Sequence, residues 1–373
     1  MALDWAKAFD SICPKALVNS LERFGVPRKM LTVIESIYTN RVFFVADAGA
    51  ASEYHQQKFG ICQGCPLSPF LFGMLMTVLM ADARRELTDT GTQLSESLLV
   101  HELLYADDTL LVETDPATAQ KYMEAVVNSG RMYGLSLNFS KVECLASGCG
   151  PEIYGENGSR VKQQQKIVYL GSVLCSDGSS GSELNRRVGS ATDEFNKLQR
   201  VWKHSGINVA RKLQIYQACI LSKLLYNLHS LVLNTAEKRR VNAFHVRSLR
   251  HILKIALSYY SRISNKSVLA QAGAKEASSM LLERQLIWMG NLARQSDTHV
   301  LRQTVLQSGP NRFRPKIPDG RRKRGRPKTC WATQVHQQAA NAAKGLDKLH
   351  DLWMNSKVAR QRWARCVEAY CHK

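Results

Sequence analysis

No stretch of this 373-residue chain carries the roughly 20 consecutive apolar residues that a membrane-spanning helix needs. The opening stretch, MALDWAKAFDSICP, is charged by its fourth residue and does not have the pattern of a secretory leader. The 10 cysteines fall into no framework spacing, which argues against a disulfide scaffold. Reduced thiols in a nuclear or cytoplasmic protein are the expectation. There is no internal repeat. Acidic residues are scarce in the second half: residues 1–150 hold 12 Lys/Arg and 17 Asp/Glu, whereas residues 151–373 hold 39 and 14. The net charge of +20 is therefore −5 in front and +25 behind. Such asymmetry suggests a polyanionic partner for the back half, although high basicity alone also fits a soluble protein with no such partner.

Punctuation along the chain predicts a mixed α+β front. A strand at the start gives way to a helix opened by Ser11 and Pro14 and closed at Gly25. A second helix runs from Pro27 to about Tyr38, followed by two strands about a Gly turn over 41–60. Leu67, Leu71, Leu75, Val78 and Leu79 recur at helical spacing after Pro66. Apolar strands then flank a polar tip near residue 106, a helix covers 116–133, and strands follow near 142–146 and 161–174. After about Asp177 the pattern is helical over 181–203, 208–232, 236–257 and 281–295. Val209, Leu213, Tyr216, Ile220, Leu224 and Leu228 form one stripe behind an Asn208 cap. Residues 308–328 read as a Pro/Gly/Arg/Lys-rich linker before two closing helices.

The polar tip carries chemistry. Asp107 and Asp108, in YADD, stand between Leu103–Leu104 and Leu110–Val112, at the turn of a hairpin anchored in a core. Adjacent carboxylates repel, and a hard divalent cation relieves that cost; Asp is also an ordinary turn former. Asp4 and Asp10, in LDWAKAFD, offer further carboxylates, with Asp4 also readable as an exposed residue near a terminus. One strand-borne Asp added to the pair would complete a site for two metal ions.

Five motifs in order now resemble the palm of a non-LTR (LINE-type) retrotransposon reverse transcriptase: DWAKAFD, GICQGCPLSPFLF, YADD, GLSLNFSK and YLGS. They span Leu3 to Ser172. The resemblance implies an α+β right-hand polymerase palm with partial fingers over 1–176 (the fingers segment about 11–59). It further implies an all-helical thumb-like region over 177–275 and a basic C-terminal helical region over 276–373. It implies an RNA-directed DNA polymerase, a nucleotidyltransferase using dNTP, an RNA template and a DNA primer or target, with two Mg²⁺ (or Mn²⁺) ions held by Asp4, Asp107 and Asp108.

By the same resemblance Lys141 would protonate the leaving pyrophosphate, although a solvated surface lysine reads identically. Phe9 would gate the sugar, and Gln63 and Gly64 would line the nucleotide site. Tyr105, Tyr169, Leu170 and Gly171 would hold the primer. Asp10 reads as structural, and Cys62 and Cys65 as small turn residues rather than zinc ligands. Arg321, Arg322, Lys323, Arg324, Arg326 and Lys328, in RRKRGRPK, resemble an AT-hook core, with a nuclear-import signal or a solvated linker as alternatives. Family members place basic fingers motifs ahead of the position of Asp4, and no endonuclease signature is visible. The expectation is an incomplete copy of a polymerase, or else a nucleic-acid-binding remnant without catalysis.

Overall fold

The computed structural model describes residues 1–317 and 330–372, apart from 148, 149, 151 and 157. The chain divides into two compact units, Met1–Asp177 and Gly178–Lys373. In the first unit the elements follow one another as β1 (Ala2–Leu3), α1 (Ala8–Ser11), α2 (Pro14–Phe24), α3 (Arg28–Tyr38), β2 (Val42–Phe43), β3 (Ala46–Asp47), β4 (Ala50–Ala51), β5 (His55–Gln56), α4 (Ser68–Asp89), β6 (Glu102–Tyr105), β7 (Asp108–Leu111), α5 (Pro116–Met132), β8 (Glu143–Leu145), β9 (Lys162–Gln164), β10 (Lys166–Tyr169) and β11 (Ser172–Cys175).

The expected helix stops are present and have local causes. Gly25 sits at φ 101°, a left-handed cap that lets its N–H reach the Leu21 and Glu22 carbonyls. Asp115 caps α5 by accepting from the Thr118 N–H, with Pro116 as the first helical residue. Five strands form one sheet in the order β6-β7-β1-β8-β9. Helices α4 and α5 pack on it through Leu71, Leu75, Leu79, Tyr122 and Val126, all buried. Burying each such side chain contributes roughly 1.5–3 kcal/mol.

One expectation is corrected. Both strands beside the YADD tip were expected to be anchored in the core, but Leu103 is 43% and Leu104 37% exposed, whereas Leu110 and Leu111 are buried. The order of the sheet explains this: β6 is its edge, with β7 on one side only. The initial strand is also shorter than its apolar pattern suggested, because Lys7 turns left-handed at φ 48° and α1 begins.

The second unit is helical among its described residues: α6 (Gly181–Lys197), α7 (Gln199–Lys203), α8 (Val209–Ile215), α9 (Ser222–Leu225), α10 (Thr235–Ile252), α11 (Ser258–Ser261), α12 (Asn265–Gln271), α13 (Ala277–Ala293), α14 (Val300–Val305), α15 (Trp331–Ala343), α16 (Leu346–Leu352) and α17 (Lys357–Cys371). Asn208 caps α8 as expected, accepting from the Arg211 N–H. The stripe that follows is not one α-helix. A π-helical turn, Tyr216–Leu221, joins α8 to α9, and Asn227 at φ 56° ends the run. A hydrophobic pattern at 3.6-residue spacing does not distinguish a π-turn from the α-helix around it. No helix among the described residues is long and apolar enough to cross a membrane.

Candidate active site

The site begins with the register of two strands. Strand β1 pairs antiparallel with β7, Ala2 opposite Leu110 and Leu3 opposite Thr109. Continued by one residue, that register sets Asp4 beside Asp108. In the β6–β7 hairpin Tyr105 pairs with Asp108, which leaves Ala106 and Asp107 as the two turn residues. Ala106 adopts φ 53°, a conformation that glycine takes more cheaply. The tight turn brings Asp107 back against its neighbour. The Asp108 carboxyl is pushed above the usual carboxylate range by desolvation, then by the charges of Asp107 and Asp4.

The segment after Asp4 is fixed from a second side. The Asn138 N–H donates to the Asp4 carbonyl at 2.8 Å, the Ala6 N–H donates to the Ser136 carbonyl at 2.8 Å, and Trp5 bridges to Leu137. GLSLNFSK is therefore laced to DWAKAFD. The lacing carries Lys141 into the site, where its Nζ lies 3.5 Å from Asp4 Oδ2.

The GICQGC stretch joins the site through the backbone. The Gly60 N–H donates to the Ile12 carbonyl at 2.8 Å and the Ile61 N–H to the Phe9 carbonyl at 2.7 Å. Gly60 has φ +88°, and a Cβ there would lie 2.8 Å from the Asp10 carbonyl oxygen. Gln63 and Gly64 form the turn, with Gly64 at φ 85°. Gln63 Nε2 donates to Asp10 Oδ1 at 3.3 Å. Phe9 is half-buried, and its ring stacks on Phe72 of α4 at 4.6 Å between centroids. Cys62 Sγ accepts from the Arg41 guanidinium at 2.9 Å. Cys65 is partly buried, and its thiol is drawn below the ordinary range by the N–H groups at the start of α4.

The YLGS hairpin closes on the edge of the sheet. Leu170 and Gly171 are its two turn residues, at φ 46° and 71°, as a tight two-residue hairpin needs. The Tyr169 hydroxyl donates to the Leu103 carbonyl at 3.1 Å. Its phenol is pushed upward by burial and then by the Asp108 charge, which places it by the carboxylates. Tyr105, at the end of β6, is 66% exposed.

A family model described as Reverse transcriptase (RNA-dependent DNA polymerase) matches residues 1–174, the stretch that holds all of this geometry. Among curated proteins, a Pol polyprotein from the type-1 retrotransposable element R2 of Popillia japonica is 30% identical over 152 residues, 40% of this chain and 21% of that protein. The type-2 R2DM polyprotein of Drosophila melanogaster is 27% identical over 206 residues, 55% of this chain and 17% of that protein. Residues 1–174 therefore match a reverse transcriptase domain, and the relatives found are of the non-LTR retrotransposon kind. The matched family is that of the RNA-directed DNA polymerases, which are nucleotidyltransferases. The matched part is about a fifth of the length of the two R2 polyproteins. A putative uncharacterized transposon-derived protein of Caenorhabditis elegans is 23% identical over 202 residues, 52% of this chain and 72% of that protein. A solved telomerase from Candida albicans, in complex with a fragment of telomeric RNA, is 14% identical. It covers 76% of this chain and 48% of that one at a TM-score of 0.33, too low to define a shared fold.

Asp4, Asp107 and Asp108 offer a donor set suited to a hard divalent cation: the Asp108 carboxyl is raised first by desolvation and then by the charges of Asp107 and Asp4, and a cation would offset both. They are not a closed cage as they stand: among the described residues no group of three His, Cys, Asp or Glu side chains is close enough to hold a metal. Sequence reasoning passed over two residues that pack beside the carboxylates. Trp5 Nε1 donates to Thr109 Oγ1 at 3.1 Å, buried. Gly130, inside α5, leaves room for the Trp5 ring, which a Cβ would meet at 2.7 Å. A glycine within a strongly helical pattern was the legible signal, since it weakens the helix unless something packs there. Arg321, Arg322, Lys323, Arg324, Arg326 and Lys328 lie outside the described residues.

Proposed function

We propose that the chain catalyses RNA-directed DNA synthesis, transferring a nucleotidyl group from a dNTP to a primer 3′-hydroxyl. The observation that carries this reading is that Asp4 directly follows β1 and Asp108 opens its partner β7, with Asp107 at the adjoining turn. These three carboxylates would hold two Mg²⁺ (or Mn²⁺) ions. When bound, such ions acidify an attacking hydroxyl and offset charge on a leaving phosphate.

The remaining roles belong to side chains. Lys141, already within 3.5 Å of Asp4, holds an ammonium proton where pyrophosphate would leave. Phe9 presents a ring, fixed against Phe72, beneath the sugar. Gln63 and Gly64 border the nucleotide. Tyr105 and the Tyr169–Gly171 turn hold the primer end. In this reading residues 1–176 are palm with a partial fingers segment, and 177–275 act as a thumb. The basic region 276–373, including the Arg/Lys-rich stretch at 321–328, contacts nucleic acid.

Primer extension on an RNA template with Mg²⁺ tests the reading. Wild-type chain extends the primer, and Asp107→Asn and Asp108→Asn each abolish extension while still binding template–primer. No extension by the folded wild-type chain, or extension that survives both substitutions, overturns it.

A further inference from the structure

Between Glu237 and Glu276 the chain contains no Asp or Glu and nine Lys or Arg. Within that stretch, the connection from α10 to α12, which holds the one-turn helix α11, carries two exposed aromatic rings. Tyr259 is 72% and Tyr260 75% exposed, and the two rings meet edge to face at 5.2 Å. The Arg262 guanidinium lies over Tyr259 at 5.5 Å. Lys254 and Lys266 are exposed on the same short segment. Isolated surface aromatics need no explanation, but these belong to a loop that is built and held.

The holding residue is Arg250, which is buried. Its Nη1 donates to the Ala256 carbonyl at 3.0 Å, ahead of the tyrosines. Its Nη2 donates to the Ile263 carbonyl at 2.6 Å and to Asn265 Oδ1 at 3.1 Å, behind them. Ser261 Oγ donates to the Ala256 carbonyl at 3.1 Å. One cation thus ties both ends of the loop, so ordering it costs little when something binds. Rigid, exposed aromatic faces and cations in a stretch of sequence without Asp or Glu match the chemistry of an unpaired nucleic-acid strand: bases stack on rings and phosphates pair with Lys and Arg.

We propose that Lys254–Lys266 is a single-stranded RNA-binding site in which Tyr259 and Tyr260 stack bases and Lys254, Arg262 and Lys266 meet phosphates. The choice of RNA over DNA rests on the polymerase reading above; the stacking site does not.

The test is equilibrium binding of labelled single-stranded oligouridylate to the full chain, with oligodeoxyuridylate and duplex RNA of equal length as comparisons. Tyr259→Ala with Tyr260→Ala should raise Kd for the RNA strand about thirtyfold or more, the scale of losing two stacked bases, and change duplex binding less than twofold. The Phe pair, Tyr259→Phe with Tyr260→Phe, should bind as wild type. Arg262→Gln with Lys266→Gln should lower the slope of log Kd against log salt by about 1.4, since each lost phosphate contact removes about 0.7. Unchanged oligouridylate affinity in the Ala pair overturns the site, and so does an equal loss on duplex. A tyrosine-dependent loss for DNA alone overturns the assignment to RNA. Thermal melting of the Ala pair should match wild type, because neither ring is buried. Extension is measured separately: tyrosine-dependent RNA binding by a chain that cannot extend a primer refutes the polymerase reading and leaves this site standing.

Discussion

The indole Nε1 of Trp5 donates to Thr109 Oγ1 at 3.1 Å, and each of these residues directly follows a site carboxylate, Asp4 or Asp108. The bond joins the segment after β1 to β7 with both partners buried. It ties together the two residues next to the carboxylates. Thr109→Val keeps the shape and removes the acceptor, leaving a buried N–H unpaired. The expected cost is about 1–3 kcal/mol, read by denaturant unfolding. Extension should fall by more than the loss of folded protein accounts for. A loss of extension that scales only with the unfolded fraction would show that the bond supports folding and not the site.

Like charges at the carboxylate cluster have a sign that can be measured. The Asp108 carboxyl is raised in the folded chain, so its contribution to stability is present at acid pH and is lost as pH rises through its folded pKa. At neutral pH, without metal, Asp108→Asn should therefore melt at the wild-type temperature or slightly above it. Added Mg²⁺ should raise the wild-type Tm and leave the variant unchanged. Equal Mg²⁺ stabilisation of both proteins would remove Asp108 from the metal site.

Gly60 and Gly64 share a positive φ but differ in surroundings. A Cβ at Gly60 meets the Asp10 backbone at 2.8–3.0 Å, whereas nothing lies within 4 Å at Gly64. Gly64→Ala should cost about 1–2 kcal/mol, the backbone strain alone. Gly60→Ala should cost more, because the Asp10 backbone must also move, and it should raise the KM for dNTP. Chemical denaturation and steady-state extension read both. Equal costs would mean that the Asp10 contact does not constrain the loop.

Phe9 has two functions to separate. Its ring stacks on Phe72 at 4.6 Å, so Phe9→Val should cost roughly 1–3 kcal/mol, the scale of trimming a partly buried ring. As the proposed gate, it should also exclude a ribose hydroxyl. The kcat/KM ratio for a matched deoxy and ribo pair should fall in the variant. A ratio that stays fixed in a folded, active variant would leave Phe9 as packing alone.

In the second unit His245 is buried between the Tyr216 hydroxyl at 2.8 Å and the Lys275 carbonyl at 3.1 Å. Burial lowers its pKa from 6.5 to about 4. The unfolded chain takes up the proton first, so stability falls as pH drops from about 6.5 towards 4, by on the order of 3 kcal/mol. His245→Asn should flatten the unfolding free energy over that window. A slope identical to wild type would place the titration elsewhere.

Much of this protein was legible as a string. The order of helices and strands in the first unit follows from Pro, Gly and Asp punctuation and from apolar spacing, which are local. The five motifs, in their order, carried the resemblance to non-LTR reverse transcriptases, and the family match over residues 1–174 bears that resemblance out. The charge asymmetry was visible as a count. Tertiary structure decided what depends on partners distant in sequence. It set Asp4 beside Asp108 through the register of β1 on β7, which the sequence pattern does not specify. It put β6 at an edge, so that Leu103 and Leu104 are exposed despite their apolarity. It bonded Trp5 to Thr109 across 104 residues. It also placed a π-turn inside an unbroken apolar stripe, and it tied the Tyr259–Tyr260 loop to buried Arg250. Hydrogen bonds and burial of this kind depend on which segments meet in space, and that is fixed only when the whole chain packs.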